Sequence, residues 1–466
     1  MTSGRAIRSI AVAGGGIVGL SAALAFARAL PGTRVTVIET TPDPAALADV
    51  LPTLHPMAAR FHGLVGVDKA ELVSSGIATH HLATRFEHWS APGQPWVHAF
   101  GAYGKPAGVI PFDQIWVRAH RAGQALDYDR YSVGAELARN GKFVHPAKDP
   151  DFTGSRFAYG LRVDPEHYRA HVRKPASDVA FVEADIGEVE RREDGGIAAL
   201  TLTDGLRLEA DLFIDCTGPG ARLISLLEDS FEDWSAWMPF DRLALESVPG
   251  DGMPATSDRI TAEADGWTIE WPLRGRTLVG RVGPQGTDIT RGRRLRPWVH
   301  NVLAIGDSAT ALDPLHGYQL ALAQNAILLA LELLPGRDFA SVETDEYNRR
   351  AEQVTRRVRD FLALHYLRSG VWRELASVEP PDSLAETLDH YEHRGRLPYH
   401  EEEIVSRDSW TAALLGLGVV PRHDDPQSIS VPLEQSVPAM QRLADEIRDI
   451  VAGLPSYGAY LAHVAR

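Results

Sequence analysis

Residues 8–39 read RSIAVAGGGIVGLSAALAFARALPGTRVTVIE. Ile10–Ala13 is a short apolar strand, and Gly14-Gly15-Gly16-Ile17-Val18-Gly19 fits the pattern G-x-G-x-x-G. An Ala/Leu-rich helix runs on to about Leu30, Pro31-Gly32 ends it, and Val35–Ile38 forms a second strand closing on Glu39. In a strand–turn–helix nucleotide fold the first glycine makes the tight turn, the second lets the backbone approach a pyrophosphate, and the third lets helix and strand pack closely. Glu39 follows Gly19 by 20 residues, the spacing at which a carboxylate accepts the ribose hydroxyls of an adenosine. The stretch predicts a dinucleotide site built from Gly14, Gly16, Ile17, Val18, Gly19 and Glu39. The motif alone does not separate NAD from FAD.

Two later apolar runs read as returns to the same sheet. One is ADLFIDCTG (210–218) and the other NVLAIGD (301–307). Each is continuous rather than alternating and ends in a polar, glycine-containing turn, as expected of a strand buried on both faces with its carboxyl end at a ligand crevice. Gly306 and Asp307 are therefore candidate cofactor contacts. An aspartate in such a place either bonds a ribityl or ribose hydroxyl or caps the next helix.

With 466 residues the chain is long enough for two or three domains, and 44% hydrophobic with 23% charged residues is ordinary for a globular protein. A net charge of −15 argues against a nucleic-acid or anionic-membrane partner. One cysteine, Cys216, precludes an internal disulfide, and no His/Asp/Glu set has ligand spacing, so no metal is expected. A first strand this near Met1 leaves no room for a signal peptide, and Gln324, Asn325 and Glu332 interrupt the longest apolar helix. The expected location is cytoplasmic.

Further segments carry a family resemblance: ADLFIDCTGPGARLI (210–224), FEDWSAWMPFDRLAL (231–245), GWTIEWPL (266–273), NVLAIGDSATALDPLHG (301–317), FLALHYLRSG (361–370) and SWTAALLGLGVVP (409–421). Together they resemble the flavin-dependent tryptophan halogenases over nearly the whole chain. The resemblance implies an α/β fold, with a Rossmann-like FAD-binding domain of the p-hydroxybenzoate-hydroxylase type, a mixed sheet and a partly helical substrate module. On this reading residues 1–340 form the FAD module, substrate-side sheet is inserted at roughly 80–130 and 230–290, and 341–466 form a mainly helical substrate module. The implied cofactor is FAD, with Gly317 also near it. The implied chemistry is reduced flavin meeting O2, and the implied partners are a small aromatic substrate and a separate flavin reductase.

Two positions depart from the family pattern. The segment resembling A-T-F-K-x-G-I-x-F-x-x-W reads ATHHLATRFEHW (78–89), which puts His81 at the halogenation lysine. The E-P-L-E-S-T-G turn reads DPLHGYQ (313–319), which puts His316 at its second glutamate. A lysine is a cation or, desolvated, a strong amine nucleophile; an imidazole titrates near 6.5 and, when neutral, is a general base. His98 and Phe100, in HAFG (98–101), take the places of the family's histidine and aromatic that flank an indole. His81 and His316 are thus the candidate catalytic pair, and His98 and Phe100 the candidate substrate contacts. The change of type favours an FAD-dependent monooxygenase acting on an aromatic or indole-like molecule. The alternatives are a halogenase with His81 replacing the lysine, and a flavin-binding protein that has lost catalysis.

Overall fold

Ser9–Ala13, the strand that leads into the glycine turn, lies inside a sheet whose order is Trp298–Val299, Val302–Ala304, Leu212–Asp215, Ser9–Ala13, Arg34–Ile38, Val179–Val182. Every pair is parallel except the edge hairpin of Trp298–Val299 with Val302–Ala304. Register places Ala13 beside both Asp215 and Ile38, so three strand ends open together where the turn begins. Strands buried on both faces have no polar side to alternate with, which explains their continuous apolar runs. Ala11, Ile38, Phe213, Leu223, Ile224 and Val302 fill the core beneath them.

The computed structural model describes residues 6–90, 95–149, 151–176, 178–250 and 253–464. The chain forms two units: Met1–Lys69 with Val163–Arg242 and Thr287–Arg356, and Ala70–Arg162 with Leu243–Gly286 and Arg357–Arg466. The segment expected as an insertion at 80–130, and most of that at 230–290, therefore group with the C-terminal residues. The helix read from Val342 is one continuous element, Ser341–Leu367.

In the second unit the strands Arg242–Pro249, Arg276–Gly283, Gly266–Leu273, Ser257–Glu263, Ala83–Glu87 and Trp96–Ala99 lie side by side in that order, and Gly160–Val163 neighbours Ala78–His81. Alternation is regular here: along Ser257–Glu263 the buried positions are Asp258, Ile260 and Ala262. Helices Asp382–Arg394, Arg407–Gly416, Leu433–Ala452 and Tyr457–Val464 make its C-terminal part. Among the described residues no helix is long and apolar enough to cross a membrane.

Asp215 settles the role left open for a strand-end aspartate. Its fully buried carboxylate accepts from Thr217 N (3.0 Å), Thr217 Oγ1 (2.7 Å), Leu223 N (2.8 Å) and Ile224 N (2.9 Å), with Ser308 Oγ at 3.3 Å. It organises its own loop. Asp215→Ala strands those donors away from water and is expected to cost the first unit about 3 kcal/mol or more. Urea unfolding measures this, and a loss below about 1 kcal/mol would remove the role assigned to Asp215.

Candidate functional site

The glycine turn has the geometry its sequence predicts. Gly14 sits at φ +113°, where a Cβ would run into the Cys216 carbonyl. Its N–H donates to Ile38 O (2.9 Å) and Cys216 N–H donates to Ala13 O (2.8 Å), so three strand ends fix the turn. The helix Ile17–Ala29 follows directly. Gly306 is packed against the Val18 side chain, which brings the two predicted cofactor segments together. Glu39 is present but engaged: Arg173 Nη2 lies at 2.7 Å and Arg169 Nη2 at 3.2 Å from its oxygens, while Arg169 Nε donates to Gly15 O (2.6 Å). Neither arginine had been singled out in the sequence, because each reaches Glu39 from a helix, Pro165–Arg173, more than a hundred residues away.

A dinucleotide suits this cradle: a tight turn, a helix start and a carboxylate at ribose distance along the chain. One protein group lies in it. The half-buried Asp49 accepts from Val18 N–H at 2.9 Å, and its carboxylate fills the space a Cβ on Gly16 would enter. Burial pushes the Asp49 carboxyl up to about 6 against the pull of the Val18 and Ile17 N–H groups and of Arg169. Asp307 accepts from Ala48 N–H through Oδ2 (3.1 Å), and its buried Oδ1 has no hydrogen-bond partner. Burial, with the nearby charge of Asp49, pushes Asp307 up to about 8.

The second predicted turn, Asp313–Gln319, places His316 in the left-handed backbone region, φ 60° and ψ −9°. A non-glycine residue there stores strain of about 1 kcal/mol or more and needs its surroundings to hold it. His55 does so. Its Nε2 lies 3.0 Å from His316 O and 3.1 Å from Gly317 O, so the proton is on Nε2, and its ring stacks on Tyr318 at 4.5 Å. Asp313 Oδ1 accepts from Leu315 N–H (3.0 Å) and closes the start of the turn. His55 carried no sequence signal, since it comes from a separate segment 261 residues away.

His81 belongs to the second unit and ends the fully buried strand Ala78–His81, which Thr79 Oγ1 ties to Pro272 O (2.8 Å). Its Nε2 is 3.2 Å from Asp258 Oδ2 and 3.3 Å from Arg162 Nη2. Arg162 holds Asp258 through two bonds, Nε to Oδ1 (2.9 Å) and a very short one from Nη2 to Oδ2, and lies 4.0 Å above the Trp271 ring. All three groups are at most 1% exposed. Burial lowers the basicity of Arg162, and the bidentate carboxylate is the compensation that keeps the pair ionic. Arg162 only donates and Asp258 only accepts. Nε2 can therefore accept from Arg162 when bare or donate to Asp258 when protonated, and the imidazolium would find its counter-charge in place.

Phe100 meets this group edge-on, its ring 5.1 Å from His81 at 87°. His98 Nε2 donates to Ser409 O (3.2 Å), its ring lies beside Phe361, and burial lowers its pKa to about 4. A cavity of about 230 Å³ in this unit is lined by Trp96, Tyr103, Trp116, His120 and Tyr128, and the Trp96 ring also contacts His98. Neither Asp258 nor Arg162 lies in a motif of the sequence. The available signal was an aspartate in phase with Ile260 and Ala262 on the buried face of its strand.

Asp307 gives a pH test. A carboxyl raised from 3.8 to about 8 contributes stability that is complete below 3.8 and lost as pH rises through 8. Between pH 5 and 8, the ligand-free protein should lose stability relative to Asp307→Asn by up to about 1.4 kcal/mol per pH unit. Urea titrations of both forms measure this, and parallel pH profiles would exclude the buried, protonated Asp307.

The sequence model of the tryptophan halogenase family matches residues 9–283 and 281–432. The tryptophan 6-halogenase ThaL of Streptomyces albogriseolus is 26% identical over 97% of each chain, and the tryptophan 7-halogenase RebH of Lentzea aerocolonigenes 24% over 98% of each. Among solved structures, BrvH, a flavin-dependent halogenase from Brevundimonas sp. BAL3, superposes with a TM-score of 0.91 at 31% identity over 99% of both chains. Xcc4156, a flavin-dependent halogenase from Xanthomonas campestris, gives 0.88 at 29% identity over 99% of both. With its glycine turn, its sheet order and matches along nearly its full length, this chain belongs to the tryptophan halogenase family.

Proposed function

We propose that this protein, an FAD-dependent oxidoreductase of the flavin-dependent halogenase type, is a monooxygenase that transfers oxygen to an aromatic, indole- or phenol-like small molecule. The observation that carries the reading is the contact of His81 with Asp258 and Arg162. At the position where the resemblance expects a free amine, this chain has a proton acceptor with a buried carboxylate behind it. FAD, bound at the glycine turn and reduced by a separate flavin reductase, would supply the activation of O2. Gly14, Gly16, Ile17, Val18, Gly19, Glu39, Gly306, Asp307 and Gly317 would hold it.

What remains for the chain is to orient the aromatic and move a proton. His81 takes the proton of a substrate O–H or N–H as the ring becomes electron-rich, and Asp258 stabilises the imidazolium across the 3.2 Å contact. General-base catalysis of this kind is worth about 10²–10⁴-fold. His316, held in its strained turn by His55, is the second proposed catalytic group, and Phe100 and His98 the proposed substrate contacts. One observation favours halogenation instead: Arg162 places a cation 3.3 Å from His81, so the family's positive charge is retained although its lysine is not.

Incubation with FAD, a flavin reductase, NADH, O2 and a panel of indoles and phenols, with and without bromide, separates the readings by product mass. The expected product is heavier by one oxygen and needs no halide. A bromine isotope pair would establish halogenation, and peroxide alone, unchanged in His316→Ala, would mean that catalysis has lapsed. Asp258→Asn should lower kcat about 10²-fold or more and move the acid limb of the pH profile to lower pH, since the imidazolium loses its counter-charge. An unshifted limb would remove His81 from the reaction.

A further inference from the structure

The helix Ile17–Ala29 starts at Gly16, whose missing side chain offers no cap, and its first turn contains no acidic residue. Its Val18 N–H is nonetheless bonded, from 31 residues along the chain, by Asp49 on the four-residue helix Leu47–Val50. That helix is firmly seated: Leu47 and Ala48 are buried, and Ala48 N–H donates to Asp307. On the same side, the second oxygen of Asp307 is buried with no hydrogen-bond partner. A buried carboxyl oxygen without a partner is costly, and a ribityl or ribose hydroxyl, which can both donate and accept, would meet it in either protonation state. The seat therefore has one carboxyl oxygen open to a hydroxyl and a helix-start N–H already bonded to a carboxylate.

We propose that Asp49 is an internal stand-in for a ligand phosphate. It caps the first turn of the nucleotide helix in the free protein, and a dinucleotide binds only by displacing its carboxylate from Val18 N–H. The inference rests on the reading that this turn binds FAD. The geometry allows no sharing, because Asp49 fills the space over Gly16 and bonds the N–H group that a diphosphate oxygen would need. Two anions at one helix start also repel, in a place where burial strengthens every charge. Asp49 would thus set the cofactor affinity without itself being a cofactor ligand.

The test is equilibrium binding of oxidised FAD, read by quenching of flavin fluorescence, to the wild-type chain, Asp49→Asn and Asp49→Ala. Asparagine keeps an acceptor for Val18 N–H but removes the charge, whereas alanine vacates the seat. Affinity should rise in the order wild type, Asn, Ala, with at least about a tenfold gain for Ala, the exchange of one charge-assisted bond. Equal affinities, or weaker binding by Asp49→Ala, would overturn the proposal. A second arm uses inorganic pyrophosphate and the thermal midpoint, independent of the flavin: millimolar pyrophosphate should stabilise Asp49→Ala and leave the wild type unmoved. If pyrophosphate distinguishes the two proteins while neither binds FAD, the flavin reading fails and the occupied seat stands. If pyrophosphate acts on both alike, the stand-in fails whatever FAD does. Asp49→Asn, nearly isosteric, keeps the comparison informative should the alanine variant fold poorly.

Discussion

A charge removed from water must be matched group by group, and this requirement fixes both units of the molecule. In the second unit Arg162 and Asp258 are almost wholly inaccessible, and each is tolerable only because the other is bonded to it twice. The strands that carry them, Gly160–Val163 and Ser257–Glu263, are thereby committed to a single placement. The sandwich of Arg162 on Trp271 adds a third element to the same constraint. In the first unit the carboxylates of Asp215, Asp49 and Asp307 meet the need in three ways: a full set of donors, a helix start, and a raised pKa.

Beside the buried pair, an imidazole at position 81 differs in one respect from the amine that the resemblance expects there. A lysine at position 81 would bring a second cation to Arg162, whereas an imidazole brings none until it takes a proton. Arg162 and Asp258 carry opposite charges and balance each other, which suits a site so far from solvent. Position 81 is thus one corner of a bonded set of three.

What could be read from the chain alone was whatever a local backbone demand imposes on residue type. Gly14 must be glycine because its φ is positive and a carbonyl lies beneath it, and such demands survive in a string of letters. The strand ends at Asp215 and Ala304, the helix starting at Gln319 and the turn carrying His316 followed for the same reason. The partners did not. Arg169 and Arg173 on Glu39, Asp49 on Val18, His55 on the carbonyls of 316 and 317, and Asp258 on His81 all join segments far apart in sequence, with no spacing to announce them. His98 is a further case: its motif gives no sign that its Nε2 bonds the main-chain oxygen of Ser409, 311 residues away.

Because a single imidazole, that of His55, clasps the two successive carbonyls of residues 316 and 317, the orientation of the His316 side chain is inherited from a residue it need not touch. Those carbonyls are present whatever side chain stands at 316, whereas a residue at 55 with no N–H donor would leave the turn without this clasp.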